Sequence, residues 1–240
     1  MTVRLLAVTF DAHDPDRLAP FWAGLLGRES VEDAGGVLLP GVDAQLSIRF
    51  VPDSTEKVGQ NRMHLHLTSA DPGQQQRTVA TALGLGARHL DVGQRPEERH
   101  VVLGDPEGNE FCVIPPGNAY LEGCGFLGEL ACDGTREVGL FWSQALDWPL
   151  VWDQDEETAI QSMQGGTKLA WGGPPLDPRP ARDRQRLDLG VDAHDQEAEV
   201  DRLLSLGATW LEHDENGVLV LADPDGNEFR LIAQSGGELP

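Results

Sequence analysis

A seven-residue turn motif occurs twice in this sequence, and this repetition constrains the fold more than any other feature. The first copy, DPEGNEF, begins at Asp105, and the second, DPDGNEF, begins at Asp223; the copies differ only at their third position. Apolar residues run into and out of both copies, as in two β-strands joined by a turn. Proline presets φ, and Gly-Asn tolerates positive φ, so the motif predicts a hairpin. Because both copies have matched flanks, we infer an internal repeat.

Other features recur at matching places in the two halves of the chain. They are the Phe-Trp pairs at 21–22 and 141–142 and the Leu-Gly-Ala segments at 85–87 and 206–208. Each Phe-Trp pair lies on the apolar face of a predicted helix, and each Leu-Gly-Ala segment ends one. With the predicted strands between them, these features describe four strand–helix–strand–strand modules, two in each half. A chain of 240 residues is long enough for two such halves to bury a core.

This order of elements resembles the vicinal oxygen chelate superfamily, in its glyoxalase-like or bleomycin-resistance branch. The turn motifs, the helices LAPFWAGLLG and VGLFWSQALDW, the segment NRMHLHL and the Leu-Gly-Ala helix ends carry the resemblance, which covers nearly the whole chain. It implies an α+β fold of tandem glyoxalase-like domains, each of two paired βαβββ modules that form a curved mixed sheet around a cup. We place the domains at residues 1–115 and 125–235, with a linker at 116–124.

The resemblance also implies where a metal would bind. Metal-dependent relatives hold a divalent ion between paired modules, with a ligand on the first strand of each module and a Glu after the turn. His64 matches the ligand position of the second module, but Cys112 stands where the first half would have the Glu. The first-strand positions of the other modules map to about Ala7 and about Phe126.

His64 and His66 alternate along one predicted strand, so they point to the same face. Cys112 is expected to face the same cup from a neighbouring strand. Two imidazoles and a thiolate are a suitable ligand set for Zn²⁺ or Fe²⁺. The alternative is a metal-free pocket in which the histidines are hydrogen-bonded and Cys112 is a small packing residue.

In the second half, Arg186 and Arg230 occupy the matching positions, and Asp188 and Glu228 lie on the same strands. Arginine does not deprotonate, so these residues disfavour a metal there. One interpretation is a site where two guanidinium groups bind a carboxylate or phosphate. The other is an internal network of ion pairs that fills the cup.

Tryptophans are a further group of candidate ligand contacts. Four of them in the second half lie outside the predicted helices: Trp148, Trp152, Trp171 and Trp210. Trp171 adjoins a proline-rich loop, and such rings can stack on a flat or cationic ligand. The alternative is that they pack in the core or between modules.

The net charge of −22 is the largest deviation in composition. It argues against nucleic-acid binding, which requires Lys and Arg to neutralise phosphates. It favours a cationic ligand, although the alternative is a role in solubility alone. No apolar run is long enough to span a membrane, no signal-peptide core is visible, and the three cysteines form no disulfide framework. We therefore expect a cytoplasmic protein.

Three functions are compatible with these observations. We rank first a protein that binds an organic small molecule in a cup without the full metal site, for sequestration or resistance. The second is a lyase, isomerase or dioxygenase that uses one divalent metal (Zn, Mn, Ni or Fe) at His64, His66 and Cys112. The third is a metal-free enzyme with His64 or His66 as general base. Since one chain supplies two domains, we expect a monomer, with a homodimer as the alternative.

Overall fold

The computed structural model describes residues 3–33, 35–95, 97–179, 181–214 and 216–234, which form four modules of one plan. The first module contains β1 (Arg4–Ala12), α1 (Pro15–Leu26), β2 (Val31–Asp33), β3 (Gly36–Leu39) and β4 (Ile48–Pro52). The second contains β5 (Met63–Leu67), α2 (Pro72–Leu85), β6 (Arg88–His89), β7 (Val101–Gly104) and β8 (Glu110–Val113). The third contains β9 (Leu127–Cys132), α3 (Arg136–Leu146), β10 (Leu150–Gln154), β11 (Glu157–Ser162) and β12 (Gly165–Trp171). The fourth contains β13 (Gln185–Asp192), α4 (Gln196–Ser205), β14 (Thr209–His213), β15 (Leu219–Ala222) and β16 (Glu228–Gln234).

The modules assemble into two mixed eight-stranded sheets. Sheet A has the strand order β14-β15-β16-β13-β1-β4-β3-β2, and sheet B has the order β10-β11-β12-β9-β5-β8-β7-β6. Two modules meet at the centre of each sheet through their first strands, which pair antiparallel: β1 with β13, and β5 with β9. The first module therefore shares a sheet with the fourth, and the second shares a sheet with the third.

The α+β class and the four-module plan are confirmed, but the pairing of the modules differs from the expected one. We expected the two modules of one half to share a sheet, whereas each sheet takes one module from each half. Either arrangement gives the first strand of a module an antiparallel neighbour, so local sequence does not distinguish them. As a result, each cup is built from both halves of the chain.

Helices α1 and α3, which carry the Phe-Trp pairs, pack between the two sheets. The ring of Trp22 lies 6.3 Å from that of Phe10 in sheet A and 5.0 Å from that of Phe111 in sheet B. Trp142 of α3 repeats the second contact with Phe229 at 5.1 Å. Most of the buried apolar residues of both sheets and all four helices consequently belong to one continuous core cluster. None of the helices in the described part of the chain is both long and apolar enough to cross a membrane.

The first residue of each turn motif is a buried carboxylate that organises the turn. Asp105 is fully buried and accepts hydrogen bonds from the backbone N–H groups of Glu107 and Asn109 and from the Asn109 side chain. It also accepts a bond from the indole Nε1–H of Trp22 at 3.1 Å, and Asp223 accepts the equivalent bond from Trp142 at 3.2 Å. Each motif therefore joins its hairpin to the first helix of the same half. Each copy of the motif therefore has a structural role, which explains why the sequence is repeated.

The one position that differs between the motifs keeps an acidic residue with a capping role. Glu107 accepts hydrogen bonds from the backbone N–H groups of His13 and Asp14, where α1 begins. Asp225 accepts bonds from the backbone N–H and the hydroxyl of Thr135, where α3 begins. Acidic groups are favourable at helix N-termini, because unpaired N–H groups and the helix dipole both point there.

We predict that Asp105→Ala lowers the free energy of unfolding by about 3 kcal/mol or more, because it leaves several buried donors without an acceptor. Asp223→Ala is expected to have a comparable effect. Chemical denaturation followed by circular dichroism measures both. The control is Asp201→Ala, at an exposed position of α4, which should change stability little. A loss as small as that of the control would contradict the assigned role of the motif.

Candidate functional site

The second and third modules form a polar surface on sheet B, which we call cup B. Along β5 the apolar residues are buried in the core, whereas His64 and His66 point to the opposite face and are only partly buried. In the strand register, His66 lies beside Cys112 of β8 and beside Glu129 of β9. Cup B is the face of sheet B that carries these four side chains.

Hydrogen bonds join three of these side chains through His66. His66 Nε2 lies 2.9 Å from His64 Nε2, and His66 Nδ1 lies 2.5 Å from Glu129 Oε2. The potential ligand atoms of His64, His66 and Cys112 all lie within 4.8 Å of one another. The structure thus brings together the three residues that the sequence singled out. It adds Glu129, which comes from the other half of the chain.

The protonation states of the two histidines follow from the electrostatics of the cluster. Burial and the neighbouring His66 lower the pKa of His64 to about 3, so His64 is neutral. Burial also opposes a charge on His66, but its interactions with Cys112 and Glu129 raise the pKa of His66 to about 9. His66 is therefore an imidazolium that donates one proton to the Glu129 carboxylate and the other to His64 Nε2. His64 is left with its own proton on Nδ1.

A cavity of about 450 Å³ opens above this cluster. Its walls include Trp152, which is 36% exposed and so offers a free ring surface, and Tyr120 from the linker. The carboxylates that line it are Glu129, Asp133, Glu157 and Asp177, against two cations, the guanidinium of Arg62 and the imidazolium of His66. Arg62 is already paired with Asp133 at 2.9 Å. The cavity is therefore of ligand size, partly aromatic, and negatively charged.

The donor atoms of cup B also fit a divalent metal. The bond from His66 Nδ1 to Glu129 leaves Nε2 as the ligand atom, which is the usual arrangement of a carboxylate behind a metal-bound histidine. His64 Nε2 and Cys112 Sγ complete a three-ligand set suited to Zn²⁺. Binding would require His66 to lose one proton and Cys112 to act as a thiolate. His64, His66 and Cys112 are therefore able to hold the ion.

The matching surface of sheet A, which we call cup A, is occupied by ion pairs. Asp188 is fully buried and accepts bonds from Thr9 Oγ1, Arg49 Nη1, and Arg230 Nε and Nη2, at 2.6 to 2.9 Å. Arg186 donates to Asp11 at 2.6 Å. This arrangement is the ion-pair network that we considered as one of the two alternatives.

A polar cleft of about 850 Å³ lies above this network. Arg186 and Arg230 line the cleft, but the described residues already pair both guanidinium groups with Asp11 and Asp188. Their predicted role in binding an anionic ligand would require a ligand to compete with these carboxylates. That role stays a prediction.

Two sequence-based assignments are refined by the structure. Phe126, the expected ligand position of the third module, precedes β9, and Glu129 instead holds the place beside His66. Trp171 lines one edge of cup B but is 2% exposed and belongs to the core cluster, so it offers a ligand less surface than Trp152 does. A sequence signal for Glu129 existed, since it is the one charged residue in the strand sequence LGELAC. A charge in an apolar strand is normally paired or functional.

Comparisons with known proteins agree with this architecture. Residues 7–114 and 129–232 both match the family model described as a glyoxalase-like domain. Glyoxalase I from Zea mays aligns with a TM-score of 0.67 over 97% of this chain and 92% of its own, at 13% identity. A Bacillus subtilis protein named as a putative dioxygenase aligns with a TM-score of 0.64 over 98% of this chain and 86% of its own, at 15% identity. At such identities the likeness concerns the fold alone. None of the curated proteins matches the sequence.

We predict that Asp188→Asn destabilises the protein by about 3–5 kcal/mol, because it leaves buried guanidinium groups without their counter-charge. Burial opposes the charge of Asp188, but Arg230 and its other partners lower the pKa below 3.8. The stabilisation is therefore present above pH 3.8 and is lost as the pH falls through the lowered pKa. Denaturation between pH 2.5 and pH 7 should show the difference from wild type shrinking in acid.

The control for this prediction is Asp153→Ala, which breaks the exposed ion pair with Arg136 and should have little effect. A stability loss in Asp188→Asn that does not exceed that of the control would show that the network is not structural.

Proposed function

Since this chain belongs to the glyoxalase-like family, we propose that it binds a small organic molecule in cup B. The observation that carries the proposal is the cavity of about 450 Å³ above the cluster of His64, His66 and Glu129. The polar groups of this cluster line the open cavity and are not covered by the core. Pockets of this size that combine apolar walls with a few converging polar groups are typical ligand sites.

The lining of the cavity indicates a flat ligand that is cationic or neutral. Trp152 provides a ring surface, on which a planar group can stack or a cation can lie. Glu157 and Asp177 add negative charge near the mouth, and the net charge of −22 adds long-range attraction for cations. An anionic ligand meets repulsion on the same path.

Cup B supports this proposal better than cup A does. In cup A, Arg49, Arg186 and Arg230 are neutralised by buried carboxylates, and the central position is filled by their ion pairs. In cup B, the equivalent centre holds two imidazoles and a carboxylate that line the open cavity, with a buried thiol beside them. We therefore propose one ligand per chain.

Fluorescence titration with two planar dyes tests the proposal. Thioflavin T, a cation, should bind with a stoichiometry of one, and 8-anilinonaphthalene-1-sulfonate, an anion, should bind at least tenfold more weakly. Trp152→Ala should weaken thioflavin T binding roughly tenfold, since a ring contact with a cation contributes about 1–2 kcal/mol.

The matched control is Trp210→Ala, because Trp210 is an exposed tryptophan on the edge strand of the other sheet. This variant should bind the dye like wild type. Equal loss in both variants, or equal binding of both dyes, would contradict a cationic site in cup B.

A metal-dependent reaction on the bound molecule is the second candidate function, and the donor cluster of His64, His66 and Cys112 is the observation that favours it. A bound divalent ion would supply a Lewis acid that polarises an oxygen of the ligand. Glu129 would hold His66 in the orientation that presents Nε2. His64 and Cys112 would hold the ion on its other sides, beneath the cavity.

Metal analysis separates the two candidates. The metal-dependent function requires about one divalent ion per chain after incubation with Zn²⁺, Mn²⁺, Ni²⁺ or Fe²⁺ and removal of the excess. It also requires loss of this ion in His64→Ala but not in His213→Ala, which changes a histidine of cup A. If the wild-type protein retains no ion, the second candidate is excluded, whereas the ligand-binding proposal stands.

A further inference from the structure

The segment that joins the two halves contacts cup B directly. Residues Ala119–Leu121 form a single 3-10 turn, which begins at Asn118 with a hydrogen bond from the Leu121 backbone N–H to the Asn118 side chain. Leu121 and Cys124 are buried in a small apolar cluster with Cys112, which lies beside His66 on the neighbouring strand. The linker is therefore packed against β8 and holds its middle residue, Tyr120, in a defined position.

Tyr120 is the only tyrosine of the chain, and it contacts two strands of sheet B. Its backbone oxygen accepts a hydrogen bond from Lys168 Nζ of β12, and the same ammonium group lies 4.1 Å from the centre of its ring. Its ring meets that of Trp152 on β10 edge to face, with the centroids 5.7 Å apart.

The ring of Tyr120 shapes the cavity in two ways. It is a wall of the cavity, and it fixes Trp152, the main surface on which a ligand can stack.

We propose that Tyr120 is a specificity-determining residue of cup B: its ring limits the size of the ligand that can stack on Trp152. The inference rests on the proposed function and names a working role for the linker. Lys168 covers one face of the ring, so a ligand cation is excluded from that face and is directed to Trp152. Cup A has no tyrosine, so the linker also makes the two cups unequal.

The test compares the affinities of two cations of different size, benzyltrimethylammonium and thioflavin T, by isothermal titration calorimetry. Tyr120→Ala should raise the affinity ratio for the larger over the smaller cation at least fivefold, because the wall is removed. Tyr120→Leu, which retains more apolar packing, should move the ratio in the same direction. Tyr120→Phe keeps the ring and should keep the wild-type ratio. An unchanged ratio in both ring-removing variants, with folding verified by thermal melting, would overturn the inference.

The outcomes also separate the inference from the function on which it rests. If wild type binds neither cation, the proposed ligand class and the role of Tyr120 both fail. If wild type binds both cations but the affinity ratio does not respond to substitution of Tyr120, the ligand-binding proposal stands and the role of Tyr120 is wrong.

Discussion

The pairing of the first strands across the two halves is the constraint on which the other features of the molecule depend. Each of these strands lies in the middle of a sheet, so both of its edges must find hydrogen-bond partners. On one side β1 and β5 pair in parallel with the last strand of their own module, and on the other side they pair antiparallel with β13 and β9. This pairing places His66 beside Glu129 and Asp188 beside Ala7. The composition of both cups follows from it.

The two cups show how one scaffold can support opposite electrostatics. Arg186, Asp188 and Arg230 hold the positions in sheet A that His64, His66 and Cys112 hold in sheet B. In cup A the buried charges neutralise each other, and removing one partner leaves the others without compensation. In cup B the imidazoles, the thiol and the carboxylate are weaker acids and bases. They can gain or lose a proton, and they are able to bind a ligand or a metal ion. Ion pairs thus fill cup A, whereas cup B has imidazole groups next to an open cavity.

Most of the fold was predictable from the sequence, because its signals are local. The predicted strands and helices agree with the observed ones within a few residues, since strand alternation, Asp-Pro helix starts and glycine helix ends are read over short windows. The strands β2, β6 and β14 were not predicted individually. All three are edge strands with mostly exposed residues, so they lack the apolar pattern that identifies a strand. The repeated turn motif was identified correctly as a hairpin, but its bond to the tryptophan of a helix required coordinates.

By itself, the sequence determined the repeat and the α+β class. It also identified His64 and His66, which share one face of a strand, and Cys112, which was expected on a neighbouring strand. Those properties depend on residues close together in the chain and on the alternation of a β-strand. Only the tertiary structure decided which modules share a sheet, and hence that Glu129 lies behind His66, that Tyr120 of the linker bounds the cavity, and that Arg186 and Arg230 are paired. These contacts join residues far apart in sequence. They depend on whether the first strands pair within one half or between the two halves. Both pairings satisfy the hydrogen-bonding groups of the strand edges, so no local sequence pattern predicts which one forms.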